Sequence, residues 1–554
     1  MMSELATPLR NQLAKVIVEA RRVAEAGAQK ALESLAVERH EPHGSMSLEE
    51  RALRNRLRAR GRQLGDVRDR QRGSQSIARL THEVAYEHWH RMLFARFLVE
   101  NGLLIHPDHQ VAMSLEEIEE LAQETGVDPH QMAAGFAQDS LPQIFRTGDP
   151  VLEVRLAPET RQKLEVLLDS LSTDVFTADD SLGWTYQYWQ AEKKDAVNAS
   201  GEKIGADELP AVTQLFTEHY MVLFLYHNSI GAWHAGKMLA ANPSLAETAQ
   251  SEAELRAAVS LDTAAGKSTF DYLRFVKEPQ EDIEDNNPAG PWRPAAGTFD
   301  EWPKTAKELK VIDPCCGSGH FLIVGFKQLV RLRMHEEGLG VEDAIRAVLS
   351  ENIFGLELDP RCTQIAAFNL ATVAWKLAGK PIELPPLNIA CSGLSIGSSK
   401  KDWLALAGDD DHLIAGLENL YELFRKAPEL GSLIDPKALK SDMFEASFEE
   451  LQPLLEAALA RESDNAEDTE RAVAAHGMAR AADFLGGEYT LAITNVPYLG
   501  RGQQSDLLKK FADDYYPAAK SDLATIFIER MLRWLTENGT AAAVTPQNWL
   551  FLKS

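Results

Sequence analysis

Cysteine and long apolar runs are both scarce in this sequence of 554 residues. The four cysteines, at positions 315, 316, 362 and 391, lack the paired spacing of a zinc site and are too few for a disulfide-stapled scaffold. No window reaches the roughly 18 uncharged apolar residues of a membrane span, and the N-terminus lacks the apolar segment of a signal peptide. We therefore expect reduced cysteines, no metal site, no membrane contact and a cytoplasmic location.

The chain also lacks the positive charge excess that is typical of nucleic-acid-binding proteins, because its net charge is −26. The distribution is uneven: residues 51–80 hold ten arginines against two aspartates, whereas residues 401–470 hold eighteen acids against six bases. A solvated helical face is the ordinary interpretation of such an arginine run. Contact with a DNA backbone is the alternative, through Arg54, Arg58 and Arg62.

Helical spacing of apolar residues dominates the first 300 residues. We expect a helical N-terminal domain at 1–175 and a second helical region at 176–300, which ends in a proline-rich, acidic linker at 278–303. The aromatic residues of the first domain fit core packing better than base stacking. They are Trp89, Phe94 and Phe97.

Strands alternate with helices from residue 301 to residue 554, which is typical of a doubly wound α/β domain. The predicted strands are 310–312, 353–356, 387–390, 489–494 and 541–545. An acidic, mostly helical insertion at about 398–485 interrupts the predicted sheet.

A glycine-rich loop follows the first of these strands, in the sequence Asp-Pro-Cys-Cys-Gly-Ser-Gly-His-Phe at 313–321. Gly317 and Gly319 permit positive φ and let the backbone approach a ligand. The spacing is not the dinucleotide fingerprint, and the lysine of a P-loop is missing. The pattern predicts a cofactor cradle in which Asp313 accepts hydrogen bonds from a polar or cationic group. A generic nucleotide-binding turn is the alternative.

Two further strand ends carry polar residues on the carboxyl edge of the predicted sheet, where ligands bind in α/β domains. Glu357 ends the second strand, about where a carboxylate takes a ribose diol, although a solvated acid also suits that position. Asn495-Val496-Pro497-Tyr498 follows the fourth strand. Alone it would be an ordinary turn, but its place after a strand and beyond the glycine loop favours catalysis.

Together these segments resemble the amino-methylating DNA methyltransferases. Residues 313–321 match their Asp-Pro-x-Cys-Gly-Ser-Gly-x-Phe cofactor motif at every fixed position, and residues 495–498 match Asn-Pro-Pro-Tyr except at Val496. The order of the two motifs is that of the adenine-methylating γ group. Segments 522–527 and 543–551 resemble the next two family motifs.

The resemblance implies an α/β Rossmann-like methyltransferase domain, preceded by a mostly helical N-terminal region, that transfers methyl from S-adenosylmethionine to a flipped adenine in double-stranded DNA. The implied cofactor contacts are Asp313, Cys315, Gly317, Gly319, Phe321 and Glu357. In the catalytic motif, the Asn495 oxygen and the carbonyl of residue 496 would hold both N6 hydrogens, which directs the nitrogen lone pair at the methyl carbon. Pro497 would hold the turn, and Tyr498 would stack on the base.

The segment 184–233 narrows the resemblance to PglX-type enzymes of BREX phage-exclusion systems and their relatives in DISARM defence, over roughly residues 80–554. In these enzymes Gln-x-Phe-Thr-Pro begins the segment that closes over the methionine end of the cofactor. This implies cofactor contacts by Phe216 and Thr217, with Glu218 in place of the usual proline. Other defence subunits or a phage inhibitor are further expected partners. The sequence does not distinguish the enzymes of BREX systems from those of DISARM systems.

One expected acid is missing. The family usually has an acid near the third strand end that contacts the cofactor adenine, and residues 388–394 contain none. Either Ser392 or a backbone group is expected to substitute, or cofactor affinity is expected to be weak.

Two other functions remain open. A fused type IIG-like restriction-modification enzyme would need a nuclease, and residues 1–180 show no Pro-Asp…Glu-x-Lys cluster. A non-catalytic cofactor-binding sensor or scaffold would account for Val496 and the missing acid. Because Ser554 follows soon after the last predicted strand, we expect a C-terminally incomplete domain whose recognition sequence is not readable.

Overall fold

A computed structural model describes residues 5–547, apart from positions 70, 110, 142, 143, 145–147, 179, 214, 262–267, 278–289 and 439–465. The N-terminal part is helical. Its helices are α1 (Thr7–Ser34), α2 (Leu48–Gln63), α3 (Ala78–Glu100), α4 (Leu115–Thr125), α5 (Pro129–Ser140), α6 (Pro158–Asp169), α7 (Thr173–Thr177) and α8 (Ser181–Trp189). Helices α2 and α4 each begin at a capping box, in which a serine and the glutamate three residues later satisfy each other's backbone N–H groups.

Helices α1–α8 surround one hydrophobic core, and α17 (Pro360–Ala378) of the following α/β part joins it. Trp89, Phe94 and Phe97 are buried in this core, which confirms their prediction as core residues. The rings of Phe94 and Phe368 stack with centroids 4.2 Å apart, so α3 packs directly on α17. The predicted domain boundaries at 175 and 300 stay predictions.

Residues 191–294 add short helices and a small sheet. The helices are α9 (Ala191–Ser200), α10 (Leu209–Thr213), α11 (His219–His227), α12 (Ile230–Ala241), α13 (Pro243–Thr248) and α14 (Glu252–Ala258). Strands β1 (Phe275–Lys277) and β2 (Trp292–Pro294) pair antiparallel. The prediction of a linker at 278–303 is therefore wrong for the residues of β2, whose tryptophan packs against a small core. Residues 278–289 lie outside the described residues.

The α/β part contains a parallel sheet of five strands in its described residues, in the order β5-β4-β3-β6-β7. The strands are β3 (Val311–Asp313), β4 (Ile353–Glu357), β5 (Ile389–Cys391), β6 (Tyr489–Asn495) and β7 (Leu535–Val544). Helices α15 (His320–Glu337), α16 (Val341–Glu351) and α17 connect the first three. The predicted strands and their parallel arrangement are confirmed, because each strand re-enters the sheet after a helical crossover.

The two faces of the sheet are buried against different helices, and the strands alternate between them. Along β6, Leu491 and Ile493 face α15–α17, whereas Ala492 faces the insertion. The predicted insertion is helical in its described part, with α18 (Lys400–Leu404), α19 (Asp411–Phe424), α20 (Ala427–Leu430) and α21 (Ala466–Gly486); residues 439–465 lie outside it. Helices α22 (Asp506–Tyr515) and α23 (Leu523–Arg533) complete that layer.

The described ranges contain no helix that is both long and apolar enough to cross a membrane.

Candidate active site

A cleft opens at the carboxyl ends of β3, β4 and β6, and most of the residues predicted for the site line it. It encloses about 1050 Å³ of atom-free space, its open mouth included. The predicted residues in its wall are Phe216, Thr217, Cys315, Gly317, Phe321, Glu357, Asn495 and Pro497. Segments more than 270 residues apart in the chain thus meet at one edge of the sheet.

The glycine loop forms the floor of the cleft. Gly317 has φ of 51°, and a Cβ added there would meet nothing within 4 Å, so its conformation rather than crowding requires glycine. Gly319 has φ of 86°, and an added Cβ would lie 3.1 Å from Cα of Ala366 in α17. Gly319 therefore packs against α17, behind the cleft wall, and serves the site by shaping the start of α15.

Asp313 lies beneath this loop, fully buried and outside the cleft wall. Its Oδ1 accepts a hydrogen bond of 3.1 Å from the Cys315 N–H, which fixes the turn. Burial raises the pKa of Asp313 to about 7, although the hydrogen bond from the Cys315 N–H lowers it. In this structure Asp313 organises the loop, and direct cofactor contact by it stays a prediction.

Glu357 ends β4 and reaches across to the loop. Its Oε2 accepts a hydrogen bond of 2.8 Å from the Gly317 N–H, and its Oε1 accepts one of 3.0 Å from the Asp359 N–H. Burial raises the pKa of Glu357 to about 7, although these backbone hydrogen bonds lower it. A carboxylate is thus held at the strand end, within the cleft, where it can accept hydrogen bonds from vicinal hydroxyls.

Sequence reasoning gave no role to Asp359, which also lines the cleft. Its Oδ1 accepts from the Arg361 N–H at 2.9 Å and caps α17, while its Oδ2 accepts from the hydroxyl of Tyr186 in α8. An aspartate directly before Pro360 is a helix-start signal that the sequence does carry. Asp359 thereby ties the N-terminal helices to the cleft.

The catalytic candidate Asn495 is held from two sides. Its Nδ2 donates a hydrogen bond of 3.0 Å to Oγ1 of Thr217, and its Oδ1 accepts one from the Tyr498 hydroxyl. The Tyr498 hydroxyl is also 3.4 Å from the Val544 carbonyl oxygen. Thr217, which was predicted to contact the cofactor, thus accepts a hydrogen bond from the amide of Asn495. The oxygen that would receive an amine hydrogen already accepts one hydrogen bond, from Tyr498.

The other two residues of the catalytic motif lie on opposite sides of the turn. Pro497 lines the cleft, whereas the Val496 side chain is 2% exposed and packs into the core on the insertion side. An apolar side chain suits that core contact.

Ser392 requires a correction, because the structure places it behind the cleft wall. It is fully buried, its Oγ donates to the Glu357 carbonyl at 3.1 Å, and the same Oγ lies 3.0 Å from Oγ of Ser432. Its hydroxyl supports the insertion residues that reach the cleft. Which residues those are could not be read from local sequence, because the insertion returns to the sheet only through tertiary packing.

Arg54 and Arg58 also require a correction. Arg54 donates to the carbonyls of Ala36, Arg39 and His40, and Arg58 to those of Val37, Arg39 and Gly73. Both are buried, and burial lowers the pKa of Arg58 to about 10. Their guanidinium groups hold the 36–40 loop and do not face a phosphate. Arg62 is half-buried and donates to Gln75, and DNA contact by it stays a prediction.

A pair of histidines at one side of the cleft, His320 buried and His219 half-buried, was not anticipated. Nε2 of His320, which lines the cleft, lies 3.2 Å from Nδ1 of His219 in α11. Burial lowers the pKa of His320 to about 3, so its ring is neutral at physiological pH. Within the described residues, no group of three or more His, Cys, Asp or Glu side chains is arranged to hold a metal ion.

Comparisons with known proteins identify similar sequences and structures. The family model for the Eco57I restriction-modification methylase matches residues 351–554, and that for the DNA-methyltransferase domain of MmeI matches residues 295–380. A solved structure described as a cryoEM structure of a DrdV–DNA complex is similar at 12% identity and a TM-score of 0.39, covering 99% of this chain and 37% of that one.

Two curated relatives match over most of the chain. The adenine-specific methyltransferase PglX of Lacticaseibacillus casei (strain Zhang) is 27% identical over 87% of this chain and 41% of its own length. The adenine-specific methyltransferase BrxX of Escherichia coli O9:H4 (strain HS) is 29% identical over 75% of this chain and 33% of its own length. This chain thus spans less than half the length of either relative. The resemblance inferred from its motifs is confirmed: over most of its residues, the chain is similar to adenine-specific methyltransferases of the PglX and BrxX type.

Proposed function

We propose that this chain is the methyl-transferring part of a site-specific DNA adenine-N6 methyltransferase that marks host DNA as self in an anti-phage defence system. One observation carries the proposal: a single cleft joins the glycine loop, Glu357, Thr217 and Asn495. Its parallel sheet, with ligand-binding residues at the carboxyl ends of the strands, supports a Rossmann-like methyltransferase domain. The four cysteines, all of them among the described residues, form no disulfide bond, in keeping with a reducing, cytoplasmic location.

The cleft fits S-adenosylmethionine by the chemistry of its donors and acceptors. Glu357 offers a carboxylate for a ribose diol, and the open space above Gly317 admits the close approach of a ligand to the backbone. Phe216 and Thr217 close the cleft from the side of α11. When bound, this cofactor supplies the methyl group.

Asn495 would then present the acceptor base. The Asn495 oxygen accepts from the Tyr498 hydroxyl and can accept an N6 hydrogen through its second lone pair. The ring of Tyr498, which packs against the core on the insertion side, would turn toward the cleft to stack on the flipped adenine. Thr217 holds the amide nitrogen, so that the oxygen side faces the incoming amine. Fixing the amine in this way raises its reactivity, because the lone pair is directed away from the ring.

A non-catalytic cofactor-binding scaffold is the second candidate. The hydrogen bond from Tyr498 to Asn495 favours it, because the acceptor oxygen already accepts one hydrogen bond in the absence of DNA.

Incubation with methyl-labelled S-adenosylmethionine and host-type DNA separates the two functions. The enzyme predicts label in the DNA, and an Asn495→Ala variant that still binds the cofactor but transfers no label. Cofactor binding without any transfer by the wild type would support the scaffold. Equal transfer by the variant would refute the role of Asn495.

A further inference from the structure

One helix of the N-terminal part, α8, reaches the cleft and forms part of its wall. Gly183 and Gln187 of this helix both line the cleft. Residues four positions apart in an α-helix lie on the same face, so one face of α8 belongs to the ligand-binding surface. Neither residue was predicted as part of the site.

This face of α8 holds residues 215–218, which we term the closing segment. The closing segment belongs to no helix or strand. Its Phe216 N–H donates a hydrogen bond of 3.2 Å to Oε1 of Gln187. The next residue, Thr217, accepts the hydrogen bond from Asn495. Gln187 thus fixes the backbone of the closing segment one residue before the contact that orients Asn495.

The ring of Phe216 lies against α8 because position 183 has no side chain. A Cβ added to Gly183 would lie 2.3 Å from Cε2 of Phe216 and 3.3 Å from Oγ of Ser318 in the glycine loop. The centroid of the Phe216 ring is 4.7 Å from that of Trp184 and 5.0 Å from that of His320 at the start of α15. Any side chain at position 183 would therefore push the ring away from α8.

Helix α8 is itself fixed, both to the N-terminal core and to the end of β4. Asp180, just before the helix, accepts hydrogen bonds from the Leu5 N–H at 2.7 Å and from Nε1 of Trp184 at 2.9 Å. Tyr186 donates to Asp359, which lines the cleft. The closing segment therefore rests on a helix whose own position is set by the packing of the N-terminal part.

We propose that Gly183 and Gln187 are positioning residues that hold the closing segment over the cofactor, so that cofactor affinity depends on the N-terminal helices. This inference rests on the proposed use of S-adenosylmethionine. A segment without secondary structure loses conformational entropy when a ligand orders it. Because α8 already fixes Phe216, part of that entropy is lost before the cofactor binds, and the affinity is higher.

A double-mutant cycle at positions 183 and 216 tests the close approach. Calorimetry in the absence of DNA measures the Kd of S-adenosylhomocysteine. Gly183→Ala should raise this Kd about tenfold, because the added methyl group displaces the ring of Phe216. In a Phe216→Leu background, which lacks the ring atom nearest to that methyl group, the same change should raise the Kd less than about threefold.

A matched control separates this contact from a general effect of alanine on the N-terminal helices. Gly135 lies in α5, and a Cβ added there would meet nothing within 4 Å. Gly135→Ala should therefore leave the Kd of S-adenosylhomocysteine unchanged. Effects of Gly183→Ala that are equally large in both backgrounds would show that Gly183 does not act through Phe216, and would overturn its role.

Hydrogen exchange tests the contact of Gln187 in the free protein. Gln187→Met keeps the length of the side chain and removes the acceptor, so the closing segment should exchange about fivefold faster. Gln187→Glu keeps an acceptor oxygen and should restore slow exchange. Mass spectrometry of a peptide that covers residues 215–218 measures the rates.

The same rate of exchange in the wild type and in Gln187→Met would overturn the role of Gln187. This measurement needs no cofactor, so it stands apart from the proposed function. If the wild type does not bind S-adenosylhomocysteine, the proposed function fails, whereas the exchange rates still decide whether α8 holds the closing segment.

Discussion

At the scale of single residues, the site depends on an amide held between two hydroxyls. Thr217 accepts a hydrogen bond from the nitrogen of Asn495, and Tyr498 donates to its oxygen. The first contact orients the amide, and the second leaves its oxygen one lone pair for a further hydrogen bond. Thr217 is therefore a positioning residue for Asn495 in addition to its predicted place beside the cofactor.

Replacing Thr217 with valine tests this positioning role. Valine keeps the shape and removes the acceptor, so the amide of Asn495 is free to rotate. We expect kcat for methyl transfer to fall about tenfold, the effect of one lost hydrogen bond, while the Kd for S-adenosylmethionine stays within twofold. Single-turnover kinetics and calorimetry measure the two quantities. A Thr217→Ser variant, which restores the hydroxyl, should recover most of kcat; a raised Kd with normal kcat would instead indicate cofactor contact.

The carboxyl groups beneath the cleft predict a pH dependence of stability without cofactor. Burial raises the pKa of both Asp313 and Glu357 to about 7, so the folded protein holds protons that the unfolded chain has released. The contribution of these two groups to the free energy of unfolding should therefore be fully present below about pH 4 and be lost as pH rises through about 7. Glu357→Gln removes one of the two groups and should reduce this fall by about 1 kcal/mol.

Urea denaturation between pH 5 and pH 8 measures the effect, and Glu383→Gln, at an exposed position, is the control. Glu357→Gln should also weaken cofactor binding. At pH 8 the variant should therefore have a higher free energy of unfolding and a lower affinity for the cofactor than the wild type. Parallel stability curves for the wild type and Glu357→Gln would contradict the burial of this carboxyl.

Local sequence was enough to predict those cleft residues whose position follows from the strand, turn or helix to which they belong. Gly317, Glu357 and Asn495 lie on the cleft because each follows a strand of one parallel sheet. Residues 429–433 of the insertion, which also line the cleft, could not be found in this way, since they reach it through the packing of the insertion. Arg54 was misjudged because a run of arginines does not reveal which guanidinium groups are buried on carbonyls.

At the scale of elements, the N-terminal helices are joined to the start of α17 by buried charges. Glu83 of α3 is bonded to Arg60 of α2 at 2.7 Å and to Arg361 of α17 at 3.2 Å. Arg361 lies two residues after Asp359, whose carboxylate meets Tyr186 of α8. The helical part is thus connected to an element that lines the cleft, through contacts that no local pattern could have predicted.

Removal of Glu83 tests this connection. Glu83→Ala leaves two partly buried guanidinium groups without their shared acid, and we expect it to lower the free energy of unfolding by about 3 kcal/mol. Glu192→Ala, which removes the exposed partner of Arg22, should change it little. Denaturation followed by tryptophan fluorescence compares the two variants. Equal effects would show that the buried cluster adds nothing beyond a surface ion pair.

At the scale of the whole molecule, the position of the acidic insertion reconciles a net charge of −26 with the DNA substrate that we propose. Its described helices cover one face of the sheet, whereas the proposed catalytic residues stand at the carboxyl edge. The parallel sheet and the order of its motifs followed from the sequence, because βαβ crossovers leave a strong periodic pattern. The sites that depend on packing between distant segments could not be predicted from the sequence.

The central claim is that Asn495 presents an adenine amine to a methyl donor in this cleft. The most direct measurement is nucleoside mass spectrometry of host-type DNA after incubation with the protein and S-adenosylmethionine. The account predicts N6-methyladenine with the wild type and none with Asn495→Ala, although both proteins bind S-adenosylhomocysteine with equal Kd. A methylated cytosine in place of N6-methyladenine, or the same yield of N6-methyladenine from both proteins, would contradict it.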